Sequence, residues 1–414
     1  MRHVIIGNGA AGNAAAVAIR HQDPAPELLI LSDEPQSAYY RPLITNLLAG
    51  GPATDISFSE SQGALLPGEC RLGARVAALD AASQTITLEN GEEYGYDRLL
   101  LATGAAALVP DIPGWTGSGT FVMRTLADAE IVARAAATAK TALILGAGRV
   151  GLKAAMALQQ RGLEVTVVEQ DPHLAPMQFD QEASDILEKA LSDLGLRLIF
   201  QQTVTEVRRA GERLTGAVLA DGRVLEAELM VAAVGVRPKV ELARQAGLAV
   251  NEGIIVDSRL CTSASEVYAA GDVVETTDIV TGHRMVSGLW TNAVEMGRLA
   301  GSNMAGAALE YPGAIAVLNS LEVAGIPTVA VGLTQPPPDP GYQVYQSHRG
   351  SDYRKLVCRD NVLMGALLVG DLEGAGVYTG LIRTKAPLDQ PWDLLAEPRR
   401  MVATRFSRRT APAT

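Results

Sequence analysis

Cysteine is scarce: Cys70, Cys261 and Cys358 are the three in 414 residues, far apart and without a C-x-x-C or C-x4-C pair. That spacing excludes a local redox disulfide and a clustered thiolate metal site, and leaves each cysteine as a small apolar packing residue. The five histidines, His3, His21, His173, His283 and His348, are scattered without ligand spacing. Neither a metal site nor a Ser-His-Asp arrangement is therefore expected. Lysine and arginine number 35 against 46 acids, a net charge of −11. That balance argues against a nucleic-acid partner, because phosphate contacts need clustered cations. No apolar run approaches the ~18 residues of a membrane span. The first strand, expected to begin at His3, leaves no room for the charged and apolar stretches of a signal peptide. The expectation is a cytoplasmic protein without a membrane partner.

Glycine, by contrast, is abundant at 41 copies, in a chain long enough for two or three domains. One pattern occurs twice: an apolar strand, a glycine-rich turn, an alanine-rich helix, and a second apolar strand ending in an acid. The first copy is Val4-Ile5-Ile6, Gly7-x-Gly9-x-x-Gly12, a helix to about Arg20, and a strand over 28–31 that closes on Asp33 and Glu34. The second is a strand over 142–145, Gly146-x-Gly148-x-x-Gly151, a helix to about Gln160, and a strand over 165–168 that closes on Glu169. Each reads as a β-α-β unit. The first glycine permits a tight turn, the second lets a pyrophosphate approach the backbone, and the third lets helix and strand pack closely. The helix then offers unpaired N–H groups and its positive dipole end to phosphate, while the acid accepts from ribose hydroxyls. Two nucleotide sites follow. Between the copies lie a strand-rich stretch over 73–88, a turn at Asn90-Gly91, and a strand over 98–101. After the second copy comes a meander over 196–229 with a turn at Asp221-Gly222.

With the two fingerprints stand three further ordered signatures: Leu101-Ala102-Thr103-Gly104, Gly235-x-Arg237-Pro238 and Val267-Tyr268-Ala269-Ala270-Gly271-Asp272. Over about residues 1–310 the sequence resembles the pyridine nucleotide-disulfide oxidoreductase superfamily. Tyr39-Tyr40-Arg41-Pro42-Leu43 is similar to a stretch of its nitrite-reductase- and ferredoxin-reductase-like branch. The resemblance implies an α/β fold of two Rossmann-like dinucleotide-binding domains, the NAD domain inserted in the FAD domain, plus a small α+β C-terminal domain. Its boundaries would be 1–115 with 250–310 for FAD, 116–249 for NAD(H), 311–392 for the C-terminal domain, and 393–414 for a basic tail.

The cofactors implied are FAD and NAD(H). FAD would meet Gly7, Gly9, Ala10, Ala11, Gly12, Asp33, Glu34, Arg41, Pro42, Val76, Ala102, Thr103, Gly104, Gly271 and Asp272. Trp290 and Thr291 would open a helix aimed at the flavin. NAD(H) would meet Gly146, Gly148, Arg149, Val150, Gly151, Glu169 and Gly235, with Glu169 favouring NAD because a carboxylate repels a 2′-phosphate. Relatives carry Glu two residues after the third glycine, where this chain has Lys153. Lys153 and Arg41 are the candidate catalytic cations, Lys153 for charge developing on flavin and Arg41 as a fixed cation near phosphate or flavin. Disulfide-reducing relatives hold a reactive cysteine near Arg41, but this chain reads Ile44-Thr45-Asn46-Leu47-Leu48, so no thiol relay is expected.

The C-terminal module is read as apolar runs over 314–318 and 328–332, a proline hinge at 336–338, strands over 342–346, 353–358 and 362–369, and a helix through Gly376 and Gly380. Beyond Pro391 an arginine-rich stretch, with Arg399, Arg400, Arg405, Arg408 and Arg409, suits an acidic partner. The expected function is FAD-dependent NAD(H):acceptor oxidoreductase, with an iron-sulfur carrier or iron-sulfur subunit as partner. One form of it is the FAD subunit of a 2-oxoacid dehydrogenase complex. The alternatives are a stand-alone NADH:rubredoxin or nitrite-reductase-type reductase, and a non-catalytic FAD/NADH-binding interaction protein.

Overall fold

The computed structural model describes residues 1–23, 25–58 and 70–389. The basic tail expected over 393–414 lies outside them. The chain divides into two units: Met1–Leu108, Arg124–Ala129 and Gly235–Ala314 form one, and Val109–Met123, Glu130–Val234 and Ile315–Thr414 the other.

The first unit is built on a five-stranded parallel sheet in the order Val267–Ala269, Arg98–Leu101, Arg2–Ile6, Glu27–Leu31, Cys70–Arg71. Val4 faces Leu29 on one side and Leu99 on the other. The strands run almost wholly apolar because a parallel sheet is covered on both faces. Two helices lie against each other here, Ala10–Gln22 and Trp290–Met304. Their contact requires glycine: a Cβ on Gly297 would stand 2.2 Å from the Ala11 carbonyl oxygen, and one on Gly301 would stand 2.4 Å from that of Ala15. Four-residue spacing on both helices puts each pair on one face. A three-stranded antiparallel sheet, Val76–Asp80, Thr85–Leu88 and Glu93–Gly95, completes the strand-rich stretch.

The second unit repeats the plan. Its parallel sheet runs Arg197–Ile199, Glu164–Val168, Thr141–Leu145, Leu229–Ala232, Thr120–Val122. Only the middle of the expected meander is antiparallel, Val204–Ala210, Arg213–Leu219 and Val224–Glu226. Its two ends belong to the parallel sheet, since their apolar residues are needed for the central core. The helix Gln181–Asp193, which apolar patterning did not single out, is N-capped by Asp180, whose side chain accepts from the Ala183 N–H.

The C-terminal module is an antiparallel sheet in the order Leu318–Val323, Ile326–Gly332, Val362–Val369, Asp352–Arg359, Tyr342–Arg349, followed by the helix Ala375–Thr384. The apolar run over 314–318 supplies a strand only at its last residue: Ala314 bridges Asp278, the Val317 carbonyl accepts from the Gly332 N–H at 2.8 Å, and the strand begins at Leu318. The prolines at 336–338 span the crossover from Ile326–Gly332 to the far edge at Tyr342–Arg349.

Within this unit Asp180 Oδ2 accepts from Lys355 Nζ at 2.8 Å and from the Tyr353 hydroxyl at 2.7 Å, all three largely buried. Burial opposes the Asp180 charge, but Lys355, Tyr353 and the Ala183 N–H outweigh it and hold the carboxyl below its ordinary range. A carboxyl with a depressed folded pKa stabilises the fold above its unfolded pKa near ~3.9, and that stabilisation is lost as pH falls through the folded value.

Two predictions follow from these contacts. Gly301→Val should lower the unfolding free energy by about 1–3 kcal/mol through overpacking. In contrast, Gly380→Ala, at a helical position where a Cβ meets nothing within 4 Å, should raise it by about 0.5–1 kcal/mol. Denaturant midpoints check both, and a Gly301→Val protein as stable as the parent would refute the close approach. Lys355→Met should cost about 3 kcal/mol at neutral pH, a penalty that shrinks below pH ~4 as Asp180 takes up a proton. Unfolding curves at pH 3 and 7 measure it.

Candidate functional site

Each fingerprint turn contains three glycines with different reasons to be glycine. In the first unit Gly7 has φ +122° and a Cβ there would lie 2.1 Å from the Ala102 carbonyl oxygen, while one on Gly12 would lie 1.9 Å from that of Gly7. In the second unit Gly146 has φ +97° and a Cβ there would lie 2.7 Å from the Ala233 oxygen, with Gly151 1.9 Å from that of Gly146. Gly9 and Gly148 are unlike these. Both have ordinary negative φ, −92° and −74°, and a Cβ on either meets no protein atom within 4 Å. Neither conformation nor packing demands glycine at these two helix N-caps. Neither helix has a side-chain cap or an acid in its first turn. Open backbone at the positive end of a helix is the geometry that admits a diphosphate, so the residues present fit a dinucleotide at each turn.

In the first unit the expected residues form a hydrogen-bonded series. Glu34 Oε1 accepts from Arg41 Nη2 at 2.6 Å and Glu34 Oε2 from the Tyr39 hydroxyl at 2.6 Å. Arg41 Nη1 donates to the Arg124 carbonyl at 2.7 Å, and Arg124 Nη2 donates to Asp272 Oδ2 at 2.6 Å. Burial works against the Arg41 charge, and the Glu34 carboxylate beside it outweighs burial, holding the guanidinium above its ordinary pKa. Burial likewise pushes the Tyr39 hydroxyl up, so it donates to Glu34 as a neutral phenol. Tyr39 also accepts from the Leu126 N–H at 3.0 Å. Asp33, more exposed, pairs instead with Lys239 at 3.1 Å.

Thr103 donates to the Lys239 carbonyl at 3.0 Å, next to Gly104 at φ +68°. Gly271, at φ +83°, leaves room for Ala11, whose Cβ would be 3.1 Å from a Cβ placed on it. Ala10 and Ala102 are half-buried, and Val76 opens the strand opposite Leu88. Pro42 is exposed at the start of the 3-10 helix Arg41–Leu47. Trp290 opens its helix beside Tyr40, ring centroids 5.4 Å apart, and Phe58, at 5.9 Å, with Thr291 exposed. Arg124 and Tyr39 were not among the expected site residues. Tyr39 opens the Tyr39–Leu43 stretch that carries the resemblance, whereas the sequence signal of Arg124 is a polar residue at the end of an apolar stretch, which is common.

In the second unit Glu169 is buried, its Oε2 accepting from the Ala147 N–H at 2.6 Å and its Oε1 from the Asp171 N–H at 3.0 Å. The carboxylate thus anchors the same turn whose middle glycine is open. Arg149 is the first residue of the turn's helix, and its Nη1 donates to Asn319 Oδ1. Val150 is exposed and Lys153 half-buried on that helix. Gly235, at φ +117°, lies where the chain re-enters the first unit, its carbonyl accepting from Leu108 N–H at 3.0 Å.

Residues 1–297 match the model of the family described as pyridine nucleotide-disulphide oxidoreductase, and residues 318–386 match that of the rubredoxin NAD+ reductase C-terminal domain. An NADH oxidase of Methanocaldococcus jannaschii is 31% identical over 340 residues, 78% of this chain and 75% of the relative. The NADH-dependent phenylglyoxylate dehydrogenase subunit epsilon of Aromatoleum evansii is 31% identical over 395 residues, 94% of this chain and 92% of the relative. A nitrite reductase [NAD(P)H] large subunit of Klebsiella oxytoca is 32% identical over 92% of this chain, which spans only 39% of that larger protein. Among solved structures, the ferredoxin reductase for the CYP199A2 system of Rhodopseudomonas palustris superposes with a TM-score of 0.80 at 28% identity, covering 89% of this chain and 91% of its own. With two turns that fit dinucleotides and a family match across more than half its length, the chain belongs to the pyridine nucleotide-disulphide oxidoreductases, and its cofactors are FAD and NAD(H).

Proposed function

We propose that this oxidoreductase passes electrons between NAD(H) and a one-electron iron-sulfur carrier, with FAD held by the first unit and NAD(H) by the second. The observation that carries the reading is the pair of N-cap glycines, Gly9 and Gly148, which the protein's own packing does not require. Bound FAD supplies a centre that accepts two electrons together as hydride and releases them singly. The remaining roles belong to the chain. The Ala10–Gln22 helix dipole and Gly9 take the FAD diphosphate, and Asp33 or Glu34 takes its ribose. Arg124, which ties Asp272 to the Arg41–Glu34 pair, holds the Asp272 carboxylate in place. Arg41 supplies a fixed positive charge whose guanidinium Glu34 keeps oriented.

Ala11, Gly12, Pro42, Val76, Ala102, Thr103, Gly104 and Gly271 line the backbone and apolar walls of the same site. Trp290 and Thr291 begin the helix proposed to face the flavin. In the second unit Gly146, Gly148, Val150, Gly151 and Glu169 bind NAD(H), with Glu169 selecting against a 2′-phosphate. Lys153 is the cation proposed to stabilise charge that develops during hydride transfer.

No cysteine lies in Arg41–Leu47, which supports transfer without a thiol relay. An iron-sulfur partner is supported by the likeness to a ferredoxin reductase, and membership of a 2-oxoacid dehydrogenase complex by the near full-length match to the phenylglyoxylate dehydrogenase epsilon subunit. The domain limits proposed are 1–115 with 250–310, 116–249 and 311–392. Three free thiols, Cys70, Cys261 and Cys358, suit a reducing cytoplasm.

Two experiments test the assignment. Mixed anaerobically with excess NADH, the purified yellow protein should bleach. NADPH should act at least about tenfold more slowly because of Glu169, and Lys153→Ala should slow bleaching by about tenfold. A protein that binds both nucleotides and stays oxidised is a binding module, and a Lys153→Ala rate equal to the parent's removes that residue's role. Gly9→Ala should leave the apo-protein's unfolding temperature unchanged while weakening FAD retention by about tenfold or more. Gly12→Ala should cost the fold itself about 2 kcal/mol or more. Thermal scans of apo-protein alongside flavin-release titrations separate the two. Equal FAD retention in Gly9→Ala would show that the turn's open side does not face FAD.

A further inference from the structure

The helix Arg149–Gln160 presents an electrostatically adverse surface at its N-terminus. Arg149 is its first residue and Lys153 follows four positions later, so the two cations share one face, and no acid stands in the first turn. Like charges four apart on a helix destabilise it, and cations at the positive end of the dipole add to the cost. The corresponding helix of the first unit, Ala10–Gln22, carries no charge in its opening turn, which reads Ala10-Ala11-Gly12-Asn13. Positive charge at the second turn is therefore not a requirement of the fingerprint fold; it is an addition that an anionic ligand would offset.

The same helix face is gripped by the C-terminal module. Arg149 Nη1 donates to Asn319 Oδ1, and Met156 Sδ accepts from the Ala324 N–H at 3.2 Å. Positions 153 and 156 follow 149 by four and seven residues along the helix repeat, so a single stripe runs along the edge strand Leu318–Val323 and its turn. A second grip falls on the segment that follows Glu169: Gln335 Nε2 donates to the carbonyls of Pro176 and of Phe179, the latter at 2.7 Å. Side chains of a helix tilt toward its N-terminus, so Arg149 extends over the turn whose middle glycine, Gly148, is open. An arginine there has many rotamers, and fixing one of them costs conformational entropy that a partner side chain offsets.

We propose that Asn319 is a positioning residue for nicotinamide-nucleotide binding: it holds the Arg149 guanidinium at the mouth of the second fingerprint turn, where that cation attracts the anionic dinucleotide. The C-terminal sheet thereby helps shape the NAD(H) site, although its sequence lies about 170 residues away. This rests on the reading that the second turn takes NAD(H).

The test is steady-state and anaerobic kinetics on the flavin-loaded protein. Asn319→Ala should raise the KM for NADH by about five- to tenfold with kcat and flavin content unchanged, the scale expected for one hydrogen bond to a charged group. Arg149→Gln should raise it at least as much and flatten its rise between roughly 20 and 200 mM salt, because the screened charge is gone. In the Arg149→Gln background, Asn319→Ala should add nothing. An unchanged KM in Asn319→Ala, or an equal further loss on top of Arg149→Gln, overturns the proposal. A fall in kcat and flavin content with KM unmoved would also overturn it, since that is a structural role. Should the parent protein itself fail to be reduced by NADH, the assignment of the second turn fails instead.

Discussion

Backbone must meet backbone at the head of the first fingerprint helix, and the arrangement of the first unit depends on that contact. Gly7 lies on Ala102, Gly12 on Gly7, Gly271 on Ala11, Gly297 on Ala11 and Gly301 on Ala15, each too close for an added Cβ to fit without displacement or strain. These contacts bring three distant stretches of chain, around residues 10, 102 and 271, to the carboxyl ends of Arg2–Ile6, Arg98–Leu101 and Val267–Ala269. At that edge of a parallel sheet, helix N-termini and strand ends converge, so a ligand meets unpaired N–H groups there. The absence of side chains is what lets these backbone segments meet so closely.

Charge then completes what packing has shaped. Glu34, Arg41, Arg124 and Asp272 come from four separate stretches and form one hydrogen-bonded series, most of it shielded from water. A buried carboxylate left alone would be costly, and each one here has a guanidinium or hydroxyl partner. In the second unit Glu169 plays a similar part locally, accepting from the Ala147 N–H of the turn and from the Asp171 N–H beside itself. The two units differ in the charge near the start of their turn helices: none in the opening turn of Ala10–Gln22, and Arg149 with Lys153 on Arg149–Gln160. A tightly kept coenzyme can be held by shape and dipole, whereas one that must arrive and leave repeatedly gains from attraction that acts at a distance.

Asp180 and Lys355 show how a polar pair inside the second unit fixes one module on another. The pair is buried, so replacing both by apolar residues need not destabilise the fold, but losing either partner does. It sits at the N-cap of Gln181–Asp193, just after the segment that Gln335 holds. The sheet Leu318–Val369 is thus joined to the helices Arg149–Gln160 and Gln181–Asp193 at several polar points.

Both glycine-rich turns, their flanking strands and helices, and the acids at 33, 34 and 169 could be read from the sequence, because each depends on local geometry: a positive φ, a strand period, a helix start. The run over 314–318 showed its apolar character but not that only Leu318 would open a strand, because pairing is set by distant backbone such as Asp278 and Gly332. Gly297 and Gly301 gave no sign of their task, as nothing in a helix sequence says which residues will lie under another helix. Arg124 with Asp272, and Arg149 with Asn319, stand 148 and 170 positions apart. Local chemistry fixed where the turns are and what kind of ligand they suit. Only the folded chain decided which cations, carboxylates and amides surround them, because those partners meet through packing contacts that no stretch of sequence contains by itself.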